Sequence, residues 1–368
     1  MSDSIAITPG KLSGTVAAPV SKSSLHRLLI ASFLSAGRLV PEIDKNDSDD
    51  IVATKRCLAA LSAEGAEVEL DCGESGSTLR FLAPVAAALG KKARFIRRGR
   101  LAHRPMIEYG RLEPGRHELP GDVSSQFVTG LLFALPLLPK DSEICFTSPL
   151  ESRGYVDMTL AVLRDFGIGF EMSESGIRIA GGQRYEKRRD ISPEGDWSGA
   201  AFWFAANALG CQIAVSGLDG ASAQPDRAVC ELLGKLGGEI NVSQCPDLLP
   251  ALAVAAAGAD GETRFTGAAR LRIKESDRLA AMQEVLARLG VKSQCTEDSM
   301  LVRGIGARRF TGGAIEIYGD HRIAMAAAVA AVRAESDVVV LGHGCVSKSY
   351  PGFWDVRASL ARASEPLG

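Results

Sequence analysis

Several short stretches set cations beside hydroxyls or carboxylates just where an apolar run begins. Lys22 and Arg27 lie five positions apart in SKSSLHR (21–27), ahead of LLIASFL. Cations at a helix N-terminus oppose the helix dipole and call for an anion in return. Ser124-Ser125-Gln126 heads a second run. Two hydroxyls and an amide there either cap the helix or hold phosphate oxygens together with the free backbone N–H groups. The densest cluster is Arg270-Leu-Arg272-Ile-Lys274-Glu275-Ser276-Asp277-Arg278. Arg272 and Lys274 alternate with apolar residues, as at the end of a strand, and Ser276-Asp277 suits the start of the helix that follows. Charges of both signs crowded into one junction are costly unless paired or used. Asp320-His321-Arg322 heads another Ala-rich run, and Lys348-Ser349-Tyr350-Pro351 precedes the last helix. Each feature also has a plainer reading: a cap, a hydrogen-bonded structural imidazole, a surface ion-pair network, an exposed turn.

Other chemistries find little support. The five His, at 26, 103, 117, 321 and 343, lack the short spacings of a zinc site. There is no G-x-x-x-x-G-K-[ST] phosphate loop and no G-x-S-x-G elbow. Gly73-Glu-Ser-Gly76-Ser-Thr is glycine-rich but unspecific alone. The eight cysteines form no Cys-x-x-Cys pair and read as free, buried thiols of a reducing compartment. Charged residues make up 23% and the net charge is −2, so no overall positive field exists for nucleic acid or anionic lipid. Met1-Ser2-Asp3-Ser4 has neither the basic start nor the apolar core of a signal peptide, and the apolar runs are too short for a bilayer. The expected location is the cytoplasm.

The elements that must position these residues repeat. A polar tip followed by a short Ala/Leu-rich helix occurs six times, near Ser21, Ser75, Ser124, Asp196, Asp247 and Asp320. Such helices are apolar nearly all round and must be buried. Amphipathic helices between them close on Gly167, Gly237 and Gly290, as left-handed caps. Alternating stretches follow as strands or hairpins over 169–179, 239–242 and 291–302. The reading is helix, strand, helix, strand pair, in six units and two groups of three. At 368 residues, two domains are expected. If the buried helices of each group run parallel, their heads make a strong anion site.

Taken together, SKSSLHR (21–27), SSQFVTGLL (124–132), EGDWSGA (194–200), LRIKESDRL (271–279), DHRIAM (320–325) and CVSKSYPGFW (345–354) resemble the EPSP synthase family, in its motif order and over nearly the whole chain. The resemblance implies an α/β fold: a two-domain inside-out α/β barrel, each domain of three βαβαββ units. It places one domain at 1–20 plus 194–368 and the other at 21–193, with the active site in the interdomain cleft. It implies transfer of the enolpyruvyl group of phosphoenolpyruvate to the 5-hydroxyl of shikimate-3-phosphate, in aromatic amino acid biosynthesis, by a monomer. Those two small molecules are the expected partners. No cofactor, metal, nucleic acid or membrane is implied.

By the same resemblance, shikimate-3-phosphate falls to Lys22, Ser23, Arg27, Ser124, Ser125, Gln126, Ser152, Tyr155, Asp247 and Lys274. Phosphoenolpyruvate falls to Lys22, Gly76, Arg104, Gln126, Arg278, Arg322 and Lys348. The catalytic set is Lys22, Asp247, Glu275 and His321. Asp247 holds the 5-hydroxyl and takes its proton. Glu275 protonates C3 and later removes a proton there, tuned by His321, while Lys22 stabilises charge. Both substrates are polyanions, so this many cations is electrostatically sensible.

There are departures. Glu74 stands where the family's motif has Asn and needs a partner such as Arg80 or Arg104. Ser77 replaces Thr, Arg270 stands where some members have Asn, and Phe81 where Pro often follows the Arg. Gly76 leaves room for the glyphosate-type inhibitor known for the family. The stretch from Leu61 to Cys72 is short, which implies a trimmed helix–strand hairpin in one unit. The sister transferase that acts on UDP-N-acetylglucosamine would want Lys-Asn at the start and a reactive Cys on a mobile loop. Here Ser23 follows Lys22, and no cysteine lies in a basic glycine-rich loop. The nucleotidyl-accepting His and glycine-rich signature of RNA 3′-phosphate cyclases are not evident. A non-catalytic binding module would have no reason to keep Lys22, Asp247, Glu275 and Lys348.

Overall fold

The computed structural model describes residues 3–35, 42–187 and 190–363. Met1 and Ser2, and Ala36 and Gly37 at the end of the first helical run, lie outside the described residues. In chain order, β1 (Ser4–Ile7) and β2 (Ser13–Ala17) precede α1 (Lys22–Leu34) and α2 (Asp49–Ser62). Then come β3 (Glu67–Gly73), α3 (Gly76–Ala88), β4 (Lys92–Arg97) and β5 (Arg116–Leu119). They are followed by α4 (Ser125–Ala134), β6 (Ser142–Phe146), α5 (Arg153–Asp165), β7 (Phe170–Met172) and β8 (Gly176–Ile179). Next are α6 (Trp197–Ala208), β9 (Gln212–Ser216), α7 (Val229–Leu233), β10 (Glu239–Asn241), α8 (Leu249–Ala257) and β11 (Glu262–Thr266). The chain continues through α9 (Arg278–Arg288), β12 (Ser293–Cys295), β13 (Met300–Arg303) and β14 (Gly313–Glu316). It ends with α10 (His321–Ala330), β15 (Val338–Leu341) and α11 (Phe353–Ala363). Two compact units result: Met1–Ser21 with Glu194–Gly368, here the first unit, and Lys22–Pro193, the second.

Polar residues at the heads of the apolar runs act as caps. Ser75, Ser124, Asp196 and Asp320 each accept a hydrogen bond from a backbone N–H one turn into the helix they precede. Asp247 departs from this pattern. It sits inside a short 3₁₀ turn, Pro246–Leu248, and α8 begins after it, so its carboxylate is not spent on a cap. The helix ends follow two of the three expected glycines; α7 stops instead at Leu233, capped by a right-handed Gly234, and the left-handed Gly237 lies beyond it. At Gly167 and Gly290 the chain turns left-handed, and Ile168 and Val291 donate back to Leu163 and Leu286 in the six-to-one closure of a Schellman motif.

In the first unit, α6, α8 and α10 pack against one another, and every residue of α8 and of α10 is buried. Alanine is the commonest residue of both, and its small side chain lets the helices approach closely. The second unit packs α3 on α4 in the same way, around Phe81, Phe133, Leu82 and Leu131. Pro84 lies inside α3 and has no N–H to offer the Arg80 carbonyl one turn back. Gly130 of α4 covers that oxygen: a Cβ there would fall inside its contact distance and 2.9 Å from Pro84 Cγ. This contact fixes where Arg80 and Gln126 meet.

The sheets repeat unevenly. One four-stranded sheet has the order β5-β6-β8-β7 and another β10-β11-β13-β12, each traced by a β-α-β-α-β-β path. The other sheets are shorter: β1-β15-β14, β2-β9 and β3-β4. The brief segment after Leu61 is one cause. α2 is full length, and the chain passes directly from it into β3 without a hairpin. After α7 the chain likewise passes directly into β10, which belongs to another sheet. On β9 the amide and carbonyl of Ile213 pair at 2.8 Å each with the Asn207 carboxamide, which takes the place of a neighbouring strand. The expected strand end at Arg272 is also corrected: Ala269–Ile273 is a 3₁₀ turn. The thiols are free, but Cys230 is exposed and Cys295 and Cys345 are half-buried. Among the described residues no helix is long and apolar enough to cross a membrane.

Gly130→Ala should therefore lower stability by about 1–3 kcal/mol through overpacking against α3. Denaturant unfolding checks this; an unchanged midpoint would mean that the helices have room to part.

Candidate active site

The first unit gathers its charged residues around Arg278, the first residue of α9, which is 1% exposed. Its Nε donates to Asp320 Oδ2 at 2.9 Å, its Nη1 to Asp247 Oδ1 at 2.7 Å, and its Nη2 to Glu275 Oε2 at 2.8 Å. Asp320 Oδ2 also accepts from Ser276 Oγ at 2.9 Å, and Oδ1 caps α10 through the Arg322 N–H at 3.0 Å. Asp320 is thus both a cap and a counter-charge. Asp247 meets two more cations: Lys274 Nζ at 3.4 Å and Arg322 Nη2 at 3.3 Å. The His321 ring lies with Nδ1 3.9 Å from Asp320 Oδ1. Lys348 is buried at the end of the 3₁₀ turn His343–Lys348, which packs against α10. Its charge favours the Cys345 thiolate, but burial dominates and pushes that thiol up to about 12.

Burial by itself would raise the Asp247 carboxyl. Arg322, Lys274 and Arg278 outweigh it and hold the group well below the usual carboxylate range. Burial lowers Lys274 from its ordinary value, with Asp247 opposing. Arg278 is pushed further up by Asp320, Glu275 and Asp247, against the effect of burial. A buried network of this kind adds little net stability while intact, yet losing one member strands the rest.

The second unit presents two groups. Lys22, at the head of α1, pairs with Asp50 of α2 at 2.8 Å. Arg27 is 3% exposed and ties two helices: Nε donates to Thr159 Oγ1 at 2.9 Å, Nη1 to the Ser23 carbonyl at 2.6 Å, and Nη2 to the Tyr155 carbonyl at 2.8 Å. Burial lowers its guanidinium to about 10. Ser152, just ahead of α5, is left-handed at φ 54° and buried, a strained backbone for a side-chain-bearing residue. The other group is built on α3 and α4. Gln126 accepts from Arg80 Nη1 at 2.6 Å and donates to Ser77 Oγ at 3.0 Å. Arg80 also donates to the Pro105 carbonyl and lies over the Phe127 ring. Gly76 faces two guanidinium groups: a Cβ there would lie 2.9 Å from Arg80 Nη1 and 3.1 Å from Arg104 Nη1. Ser124 and Ser125 stand at the head of the same α4. The Glu74 carboxylate is set against Gly99, in the space that a Cβ would take.

The residues singled out by sequence thus fall into one cluster in the first unit (Asp247, Lys274, Glu275, Arg278, His321, Arg322) and two in the second. Sequence reasoning passed over Asp50, Asp320 as a counter-charge, Ser198 and Asp226, and named Arg80 only as a partner for Glu74. Arg80 carried a signal, since a cation on an otherwise apolar helix must find a partner. Among the described residues no group of His, Cys, Asp and Glu is arranged to hold a metal ion.

The fold is that of the enolpyruvyl transferases. EPSP synthase from Acinetobacter baumannii superposes with a TM-score of 0.75 at 24% identity, over 97% of this chain and 98% of that one. The enolpyruvyl transferase NikO from Streptomyces tendae gives 0.73 at 17% identity, over 98% of each chain. Sequence narrows the class. The profile described as EPSP synthase (3-phosphoshikimate 1-carboxyvinyltransferase) matches residues 107–244 and 234–356. A relative from Clostridium kluyveri named 3-phosphoshikimate 1-carboxyvinyltransferase is 40% identical, over 97% of both chains. One of that name from Clostridioides difficile is 38% identical, over 95% of this chain and 96% of its own. The chain belongs to the EPSP synthase family.

Replacing Asp247 by Asn should cost about 2–4 kcal/mol at neutral pH, because three cations lose a shared counter-charge. The folded value lies below the ordinary 3.8, so this stabilisation is fully present above that value and is lost as pH falls from it through the folded one. Thermal melts of both proteins should show a constant gap above about pH 5 that narrows below pH 4. A gap that closes between pH 5 and 7 would contradict the depressed value.

Proposed function

We propose that this protein is a 3-phosphoshikimate 1-carboxyvinyltransferase, which transfers the enolpyruvyl group of phosphoenolpyruvate to the 5-hydroxyl of shikimate-3-phosphate and releases phosphate. Family membership supports the reaction. The observation that carries the chemistry is the Asp247–Arg278–Glu275 constellation, in which two carboxylates share one buried guanidinium. Asp247 is kept ionised by its cations, as a group must be that accepts the proton of the attacking hydroxyl. Glu275, 2.8 Å from the same arginine, enters the reaction in its acid form: it gives that proton to C3 as the 5-hydroxyl oxygen bonds to C2, and takes one back from C3 when the C2–phosphate bond breaks, the phosphate leaving with the proton that Asp247 held.

The remaining residues divide by substrate. Ser23, Arg27, Ser124, Ser125, Gln126, Ser152, Tyr155, Lys274 and Asp247 serve shikimate-3-phosphate. Gly76, Arg104, Gln126, Arg278, Arg322 and Lys348 serve phosphoenolpyruvate. Lys22 serves both and steadies developing charge, while His321 tunes Glu275. Cations now matched to Asp50, Asp247 and Asp320 can turn to substrate oxygens with little change in net charge. We read the enzyme as a cytoplasmic monomer.

Phosphate release from phosphoenolpyruvate should require shikimate-3-phosphate and yield one phosphate per vinyl ether formed. Release only with UDP-N-acetylglucosamine, or none from folded protein, would contradict the proposal. Glu275→Gln should lower kcat about 100-fold or more, with both KM values changed only a few-fold. Near-normal turnover would remove Glu275 from the proton-transfer role.

A further inference from the structure

Asp226 belongs to none of the groups assigned above, yet it is a carboxylate only 1% exposed. It lies in the 3₁₀ turn Pro225–Ala228, between β9 and α7. Its Oδ2 accepts from Ser198 Oγ at 2.8 Å. Ser198, in the first turn of α6 and 5% exposed, in turn accepts from Arg322 Nη2 at 2.9 Å. Arg322 faces the reacting cluster with the same end, donating from Nη2 to Asp247 Oδ2 and from Nη1 to the Asp247 carbonyl, both at 3.3 Å. The Nη2 end of the guanidinium is therefore shared between Ser198 and Asp247.

The hydrogen-bond inventory makes this arrangement directional. Arginine only donates, so Ser198 must turn a lone pair toward it. The single hydroxyl proton then needs an acceptor on the other side, and an ionised carboxylate is the strongest available. The segment that carries it is held rigidly. Gln224, two residues before Asp226, accepts from the Trp197 N–H at 3.1 Å and donates to the Gly195 carbonyl at 2.8 Å, both at the head of α6. We infer that Asp226, acting through Ser198, is a positioning residue that holds Arg322 in the orientation required for phosphoenolpyruvate. Neither residue touches substrate. Their effect is on where the Arg322 donors point and on how far that guanidinium can swing toward Asp247.

This inference rests on the proposed reaction, and the experiment separates the two. Steady-state kinetics of the full chain are measured with both substrates for the wild type, Ser198→Ala and Asp226→Asn, alongside melting temperatures. Both variants should raise KM for phosphoenolpyruvate about tenfold, the scale of losing one charge-assisted hydrogen bond. KM for shikimate-3-phosphate should stay within about twofold and kcat within about threefold. If melting temperatures fall while KM for phosphoenolpyruvate holds, or if both KM values rise together, the residues are only structural and the inference is overturned. If Asp226→Asn does not fold, Ser198→Ala decides alone, since it removes one oxygen and leaves the turn intact. A wild type that releases no phosphate overturns the functional reading, and this inference with it.

Discussion

A buried guanidinium cannot shed its proton, so its charge must be met by carboxylates or by a full set of hydrogen-bond acceptors. Arg278 is such a group, and much of the first unit is arranged to meet it. Asp320 faces it from the head of α10, Asp247 from the 3₁₀ turn before α8, and Glu275 from the segment before its own helix. Three separate stretches of chain, some 30 to 75 residues apart, must converge for the charge to balance. The Ala-rich helices provide that convergence, because small side chains let α8 and α10 pack closely enough to bring their heads to one place. Asp247 is the free-standing member. Because Leu248 rather than Asp247 precedes α8, its carboxylate is left for the cations around it.

The second unit meets the same constraint in smaller pieces. Lys22 has Asp50, and Arg27 has only neutral oxygens, which is why burial lowers it. Arg80 is held by Gln126, a carbonyl and an aromatic face, with Gly130 and Pro84 setting the helix spacing that makes this possible.

Helix heads and ends were legible in the sequence because they depend on local chemistry. Serine and aspartate caps, glycine closures and all-apolar helices read directly, and the hairpins after Gly167 and Gly290 followed from alternation. What did not read were features decided by distant partners. Arg272 alternates as in a strand, but its guanidinium donates to the Glu297 backbone carbonyl and to Asp277, and the turn it occupies is 3₁₀. Asp320 was legible as a cap but not as a counter-charge to a residue 42 positions away. Asp226 and Ser198 gave no signal at all, since a two-step hydrogen-bond path leaves no spacing to find. That β2 and β9 pair as a two-stranded sheet was equally silent, because β10, which follows α7, pairs with β11 in another sheet.

The central claim is that Asp247 stays ionised because three cations surround it. The most direct test follows its carboxyl carbon by ¹³C NMR in aspartate-labelled protein, with the signal assigned by its absence in Asp247→Asn. The account predicts an unchanged, ionised chemical shift from pH 8 down to about pH 4, where ordinary aspartates are already titrating. A signal that titrates at or above pH 4 would mean that burial outweighs Arg322, Lys274 and Arg278, and that the electrostatic account of the site is wrong.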